Sequence, residues 1–302
     1  MKNENTDVWA DWLLHRRTAD DSQLAERLQK MVEVYADRVI EGARLKPGMT
    51  FVDVGAGDGL VAFRALNRLS GDINVILTDI SEPLLLHAKS LSATTAAPER
   101  CTFLQCSAEN LVGIADASVD VVATRSVLAY VKDRPAAIRE FYRVLKRGGR
   151  ISIAEPVMQN EYFVARAMKA RIDSGKGQPD DKLLRLIHRC KSAQFPESAD
   201  PLDISPIVNY NERDLLQCVV DNGFHDAHLE LHVDIRPSLI TTWETFIGTS
   251  PHPWAPTLKE IFAEQFTEGE RRFFEENLRP GVETGTNAST DQMAYITGEK
   301  PA

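Results

Sequence analysis

The chain has 302 residues, enough for one large domain or two modest ones with a substantial core. A hydrophobic share of 43% and a charged share of 26% belong to a globular protein, and a net charge of -9 argues against one that grips nucleic-acid phosphates through a basic face. No apolar stretch approaches the roughly 20 residues that span a bilayer, and the four cysteines, without a C-x-x-C pair, read as free thiols of a cytoplasmic protein.

Residues 1–6 are polar and read as frayed. From Val8 to Leu14, with Trp9 and Trp12 three apart, the pattern predicts a short amphipathic helix. A longer one follows Asp20-Asp21-Ser22, with Leu24, Leu28, Met31 and Tyr35 on one stripe. Such stripes serve as core, and a helical pair ahead of a first strand can also act as a lid.

After Lys46-Pro47-Gly48, strands and helices alternate, the pattern of a parallel sheet wound with crossover helices. The central stretch is Phe51-Val52-Asp53-Val54-Gly55-Ala56-Gly57-Asp58-Gly59, a short apolar strand running into three glycines spaced two apart. Glycine serves where a chain turns sharply and where a ligand approaches the backbone without meeting a Cβ. The helix opening at Leu60 is expected to offer free N–H groups to a polar ligand. A second strand, 74–79, ends in Asp79, where a carboxylate can accept both ribose hydroxyls of an adenosine. A dinucleotide fingerprint would need glycine at position 60, which is Leu60.

Further strands are read at 102–105, 119–123 and 150–154, with a helix opening near Pro135 and stopping at Gly148-Gly149. Residues 158–205 do not fit a strand–helix unit: two helical runs flank a Gly175-Lys176-Gly177 break, and a proline-marked loop leads to Pro206. Asn211 with Asp214 reads as an N-cap and an acid three residues on. Phe224 to Ile235 alternates His228, Glu230, His232 and Asp234 with apolar residues, which predicts an edge strand with one wet face. Along a strand His228 and His232 lie about 13 Å apart, too far to share an ion bonded at about 2 Å, so no metal site is read. Residues 236–289, with Trp243 and the Ser250–Pro256 segment, intervene before a last strand at 292–297.

The acid-led glycine run of 53–59, the fourth-strand block and Phe141-Tyr142-Arg143-Val144-Leu145-Lys146-Arg147-Gly148-Gly149 resemble, in that order, the landmarks of the class I S-adenosylmethionine-dependent methyltransferases. The resemblance spans residues 46–157 and implies a Rossmann-like α/β fold. Its seven-stranded, mostly parallel sheet would have the order 3-2-1-4-5-7-6 and an antiparallel last strand. The expected organisation is a helical lid (1–45), a cofactor core (46–157, 206–235 and 290–302) and two cap insertions (158–205 and 236–289).

The resemblance also implies S-adenosyl-L-methionine as cofactor, held by Asp53, Gly55, Ala56, Gly57 and Gly59 at the turn and by Asp79 and Ile80 after the second strand. Ser107 stands where the family carries an aspartate for the adenine amino group, flanked by Ala108 and by Glu109, which can supply a carboxylate if the loop shifts. Thr124, Arg125, Ser126 and Glu155 leave the edge where ligands bind in such sheets.

The function implied is methyl transfer to an O, N, S or C nucleophile of a small-molecule acceptor, in specialised metabolism. His15, His188 and His252 are candidate bases, against the plainer role of surface or packing histidines. Trp9, Trp12, Tyr130, Trp243 and Trp254, with Glu155, are candidates for the acceptor wall. The expected partners are the small molecule alone, with no nucleic acid, membrane or metal, for a monomer or homodimer. The alternatives are a methyltransferase-fold protein that binds the cofactor without transferring its methyl, an NAD-dependent oxidoreductase, and an RNA methyltransferase.

Overall fold

The computed structural model describes residues 7–174, 181–196 and 205–302. The tail 1–6, the Gly175-Lys176-Gly177 break and most of the loop to Pro206 lie outside the described residues. The chain runs through α1 (Val8–Asp11), a π-helical turn (Trp12–Arg16), α2 (Ser22–Ala43), β1 (Thr50–Val54), α3 (Leu60–Arg68), β2 (Asn74–Asp79), α4 (Glu82–Ser92), β3 (Cys101–Gln105), β4 (Val119–Arg125) and α5 (Arg134–Val144). It continues through β5 (Leu145–Pro156), α6 (Gln159–Asp173), α7 (Asp181–Gln194), α8 (Glu212–Asp221), β6 (His225–Pro237), α9 (Trp243–Gly248), α10 (Leu258–Gln265), α11 (Glu268–Glu283) and β7 (Ala288–Glu299). Two compact units result: a sheet unit of Lys30–Val157, Tyr210–Val233 and Gln292–Ala302, and a helical unit of Met1–Gln29, Met158–Asn209 and Asp234–Asp291.

The sheet has seven strands in the order β3-β2-β1-β4-β5-β7-β6. β3, β2, β1, β4 and β5 pair in parallel, and β5 pairs antiparallel with β7. This is the expected order with its reversed strand. Successive strand residues face opposite ways. Phe51, Val75, Leu77 and Val121 therefore pack with Val39 and Ile40 of α2 and Ala65 and Leu66 of α3. On the other face Val52, Val122 and Ile151 pack with Ile138 and Phe141 of α5 and Leu215 and Val219 of α8. Both faces of a parallel sheet are covered, which its strand composition requires.

Two local readings are corrected. The helix expected to stop at Gly148-Gly149 ends at Val144, and β5 begins at Leu145. Leu145 pairs with Val119 and Arg150 with Val121, so 146–149 loop out opposite Asp120 alone. A Cβ at Gly149 would meet the carbonyl oxygens of Lys146 and Asp120 at 2.8 and 3.0 Å, so the glycine serves a close approach within the bulge and not a helix cap. In β6, at the sheet's edge, the apolar half of the alternation packs only through Ala227 and Leu229; Leu231 and Val233 remain exposed because the core cluster ends there.

The helical unit is tied together across long sequence gaps. Trp12 Nε1 donates to the Ser250 carbonyl (2.9 Å), Ser250 N to that of Arg16 (2.9 Å), and Thr245 Oγ1 to Asp21 (2.7 Å). Leu186, Cys190, Trp243, Phe262 and Phe274 form its core.

Candidate functional site

The carboxyl ends of β1, β2, β3 and β4 lie side by side in the sheet order, and the residues expected to hold a cofactor gather there. Gly55, Gly57 and Gly59 all adopt left-handed φ values (+64°, +57° and +83°), a region that side chains with a Cβ avoid. Asp79, ending β2, accepts from Gly57 N and Ser81 N, each at 2.9 Å, and stays 7% exposed. It thus anchors the turn with both carboxylate oxygens, from a buried position at the strand's end. Ile80, next in sequence, presents an exposed apolar side chain, and its carbonyl accepts from Gln105 Nε2 at 3.1 Å.

The amides opening α3, expected to be free, are in part taken. Gly59 N donates to the Ala56 carbonyl (2.8 Å), Leu60 N to Asp58 (3.2 Å) and Ala62 N to Asp53 (3.0 Å). Asp53, read from sequence as a cofactor ligand, is buried and spends an oxygen on this clasp. Burial pushes its carboxyl up to about 7, against the opposing pull of the Ala62 amide and of the Arg125 cation.

After β3, Ser107 Oγ donates to Glu109 (3.2 Å), and Glu109 accepts from Asp133 N (3.2 Å). The serine in the adenine position is therefore coupled to the acid two residues on. Ala108 is buried beneath them.

Near the end of β5, Glu155, expected in a pocket wall, is fully buried instead, beneath the loop that follows β4. Its carboxylate accepts from Thr124 Oγ1, Val127 N and Ala129 N, all at 3.0 Å. Burial raises its pKa while those amides oppose the rise. Thr124 is consumed in the same clasp. Ser126 takes φ +58°, and Val127 lies over the glycine turn: a Cβ on Gly55 would stand 2.4 Å from Val127 Cγ2. Val127 was not read from sequence, and an ordinary valine after a strand carries no signal for this role. Also unread was Tyr210, whose hydroxyl donates to the Pro156 carbonyl and whose ring carries the Arg134 guanidinium 4.2 Å from its centroid. Tyr130 is half-buried beside this cluster.

The candidate bases and most of the aromatic residues fall in the helical unit. His15 is exposed and pairs with Asp20 (3.0 Å). His188 Nε2 meets Ser192 Oγ at 3.1 Å. His252 is buried, its Nε2 2.7 Å from the Gln194 carbonyl, so Nε2 carries the hydrogen and donates; burial lowers its pKa. Its ring lies 6.2 Å from that of Trp254, which stands edge-on to Trp9 at 5.6 Å. These three come together, whereas Trp243 is core and the Trp12 indole is fixed to Ser250. Among the described residues no His, Cys, Asp and Glu cluster is arranged to hold a metal ion, and no helix is long and apolar enough to cross a membrane.

The strand order, the reversed β7, the glycine turn after β1 and the carboxylate ending β2 are those of the class I S-adenosylmethionine-dependent methyltransferase fold. Comparison with known proteins agrees: residues 45–191 match the family model of a methyltransferase domain. It is 34% identical over 113 residues to the ubiquinone/menaquinone biosynthesis C-methyltransferase UbiE of Xanthomonas oryzae and 33% identical to that of Stenotrophomonas maltophilia, covering 37% of this chain in both cases. The chain spans less than half the length of these curated relatives, 44% of each. Among solved structures, the YcgJ protein of Bacillus subtilis superposes with a TM-score of 0.53 at 18% identity over 88% of this chain and 98% of its own. The [4+2]-cyclase SpnF superposes with 0.50 at 19% identity over 91% and 83%. These two share the fold.

Proposed function

We propose that the protein transfers a methyl group from S-adenosylmethionine to a small-molecule acceptor of specialised metabolism, in the cytoplasm. The observation that carries this reading is Asp79: a carboxylate at the end of β2, bonded to the glycine turn and held beside three left-handed glycines. It is suited to the two hydroxyls of a ribose. Ile80 offers an apolar surface for a base, and Ser107, backed by Glu109, offers a polar edge. The residues present fit the cofactor.

When bound, S-adenosylmethionine supplies a sulfonium methyl group for in-line displacement. The protein's part is alignment and exclusion of water. Asp79 orients the nucleoside, and the Glu155 clasp fixes the loop after β4 against the glycine turn. Within the helical unit, Trp9, Trp254 and His252 form an aromatic group of their own. His252, with its ring buried and its Nδ1 closed off, stands there as a packing histidine.

The test is calorimetric titration with S-adenosylmethionine, S-adenosylhomocysteine and NAD, for the wild type and Asp79→Ala, followed by mass-spectrometric screening of acceptors. Micromolar binding of the first two, weakened about 100-fold in the variant, is expected from the loss of two charge-assisted bonds. Binding of NAD alone would overturn the reading. Cofactor binding without any methylated product across a broad screen would move the protein to the class that binds without transfer.

A further inference from the structure

Arg125 closes β4, its Cα paired with Ala154 of β5, while the preceding Thr124 pairs with Val54 of β1. Its backbone therefore stands beside the point where β1 enters the glycine turn. Alternation along β4 puts Arg125 on the sheet face of Val121 and Ala123, opposite Thr124, whose hydroxyl goes to Glu155. Asp53 of β1 occupies that same face, and the Arg125 guanidinium lies near enough to influence its ionisation.

The other arginines of this region are engaged. Arg64 takes Asp37 in two bonds of 3.0 and 2.6 Å, Arg143 takes Glu140 and Asp116, Arg150 takes Glu299, and Arg134 donates to the Leu128 carbonyl. Arg125 makes no hydrogen bond or ion pair among the described residues, although its Nε is completely buried. Asp53 does not fill that role: its Oδ2 accepts from Ala62 N, and no hydrogen bond or ion pair joins it to Arg125. A buried guanidinium nitrogen without an acceptor is unfavourable, and such a group is retained where an anion will complete it. The planar fork matches a carboxylate in two parallel bonds.

We propose that Arg125 binds the α-carboxylate at the amino-acid end of S-adenosylmethionine. This rests on reading the β1–α3 turn as that cofactor's site. Along the strand order the nucleoside falls to β2 and β3 through Asp79 and Ser107. The amino-acid end then falls towards β4, where Arg125 stands. The same fork would also accept an anionic methyl acceptor, and the experiment separates the two sources.

The probes are S-adenosylmethionine and decarboxylated S-adenosylmethionine, which differ by that carboxylate alone, titrated calorimetrically into the wild type, Arg125→Met and Arg125→Lys. In the wild type the intact cofactor should bind about 10- to 100-fold tighter, the value of a charge-assisted carboxylate bond. In Arg125→Met that preference should vanish while affinity for the decarboxylated probe stays within about twofold; Arg125→Lys should restore part of it. Equal weakening for both probes would overturn the proposal in favour of a purely structural arginine. Unchanged affinity for both would overturn it in favour of an anionic acceptor. If Arg125→Met does not fold, the wild-type ratio decides: a ratio near one overturns the assignment. A wild type that binds neither probe removes the cofactor reading itself.

Discussion

Glu155 is the side chain on which the loop after β4 depends, and replacing it separates two physical effects. Its carboxylate takes three buried donors: Thr124 Oγ1, Val127 N and Ala129 N. Glu155→Ala strands all three. At about 1–3 kcal/mol for each donor left unmade, less the recovered cost of burying a charge, the expected loss is about 4 kcal/mol. Glu155→Gln should cost far less. Its amide oxygen can serve Val127 and Ala129, and its NH2 can donate to Thr124 Oγ1, because a hydroxyl accepts as readily as it donates. The expected loss is about 1 kcal/mol, rising in a Thr124→Val background where that acceptor is gone. Urea unfolding measures both, and with a slope of about 3 kcal/mol per molar the alanine variant's midpoint falls by about 1 M. Amide exchange at Val127 and Ala129 should quicken in step. If Glu155→Ala lowers stability by less than about 1 kcal/mol, or by no more than the glutamine, the carboxylate is not what holds this loop.

Two further outcomes test the same rim. Gly55→Ala adds a Cβ 2.4 Å from Val127 Cγ2 at φ +64° and should cost about 2–3 kcal/mol in denaturant unfolding; in a Val127→Ala background only the backbone strain of about 1 kcal/mol should remain. Asp53 has a folded pKa of about 7 against an ordinary 3.8, so the folded protein holds a proton that the unfolded chain releases, and its stabilising contribution is complete below about pH 4 and lost as the pH rises to about 7. Asp53→Asn keeps the Ala62 acceptor without titrating, and its stability relative to wild type should climb by up to about 4 kcal/mol across that window; a flat difference would refute the assignment.

The place of Asp79 was legible in the sequence: a carboxylate ending an apolar strand, twenty residues beyond a glycine turn, is found bonded to that turn. The strand order was legible through resemblance, and the period-two pattern of β6 marked an edge. Glu155 was not legible in the same way. An acid ending an apolar strand reads equally as a pocket wall or a loop anchor, and the choice depends on where the amides of 127 and 129 point. That follows from a left-handed Ser126, a tertiary property with no local signature. The helix end at Val144 was missed for a similar reason. Gly149 is required by the carbonyl of Asp120 on another strand, so its meaning lies outside its own neighbourhood. At the other end of the chain, the run read as a simple amphipathic helix turns π-helical at Trp12–Arg16, where both terminal residues are tied to Ser250, more than 200 residues away.

The same rim explains why a nucleoside bearing a cation suits this protein better than a dinucleotide. A pyrophosphate is normally seated on free amides at the opening of the first crossover helix, where the helix dipole is positive. Here Leu60 N and Ala62 N are already bonded to Asp58 and Asp53, and Gly57 N to Asp79. A phosphate would have to displace carboxylates from their amides and then sit among them. Glu155 clasps the adjoining loop in the same manner. Acids at the turn thus take three of the donors an anion would use. The field they leave favours a sulfonium and repels a diphosphate. Sequence spacing alone distinguishes the two cofactors by a missing glycine at position 60; the hydrogen bonds distinguish them by charge. The second distinction is the stronger, because a loop can adapt to one absent glycine more readily than to a phosphate placed against Asp58 and Asp79.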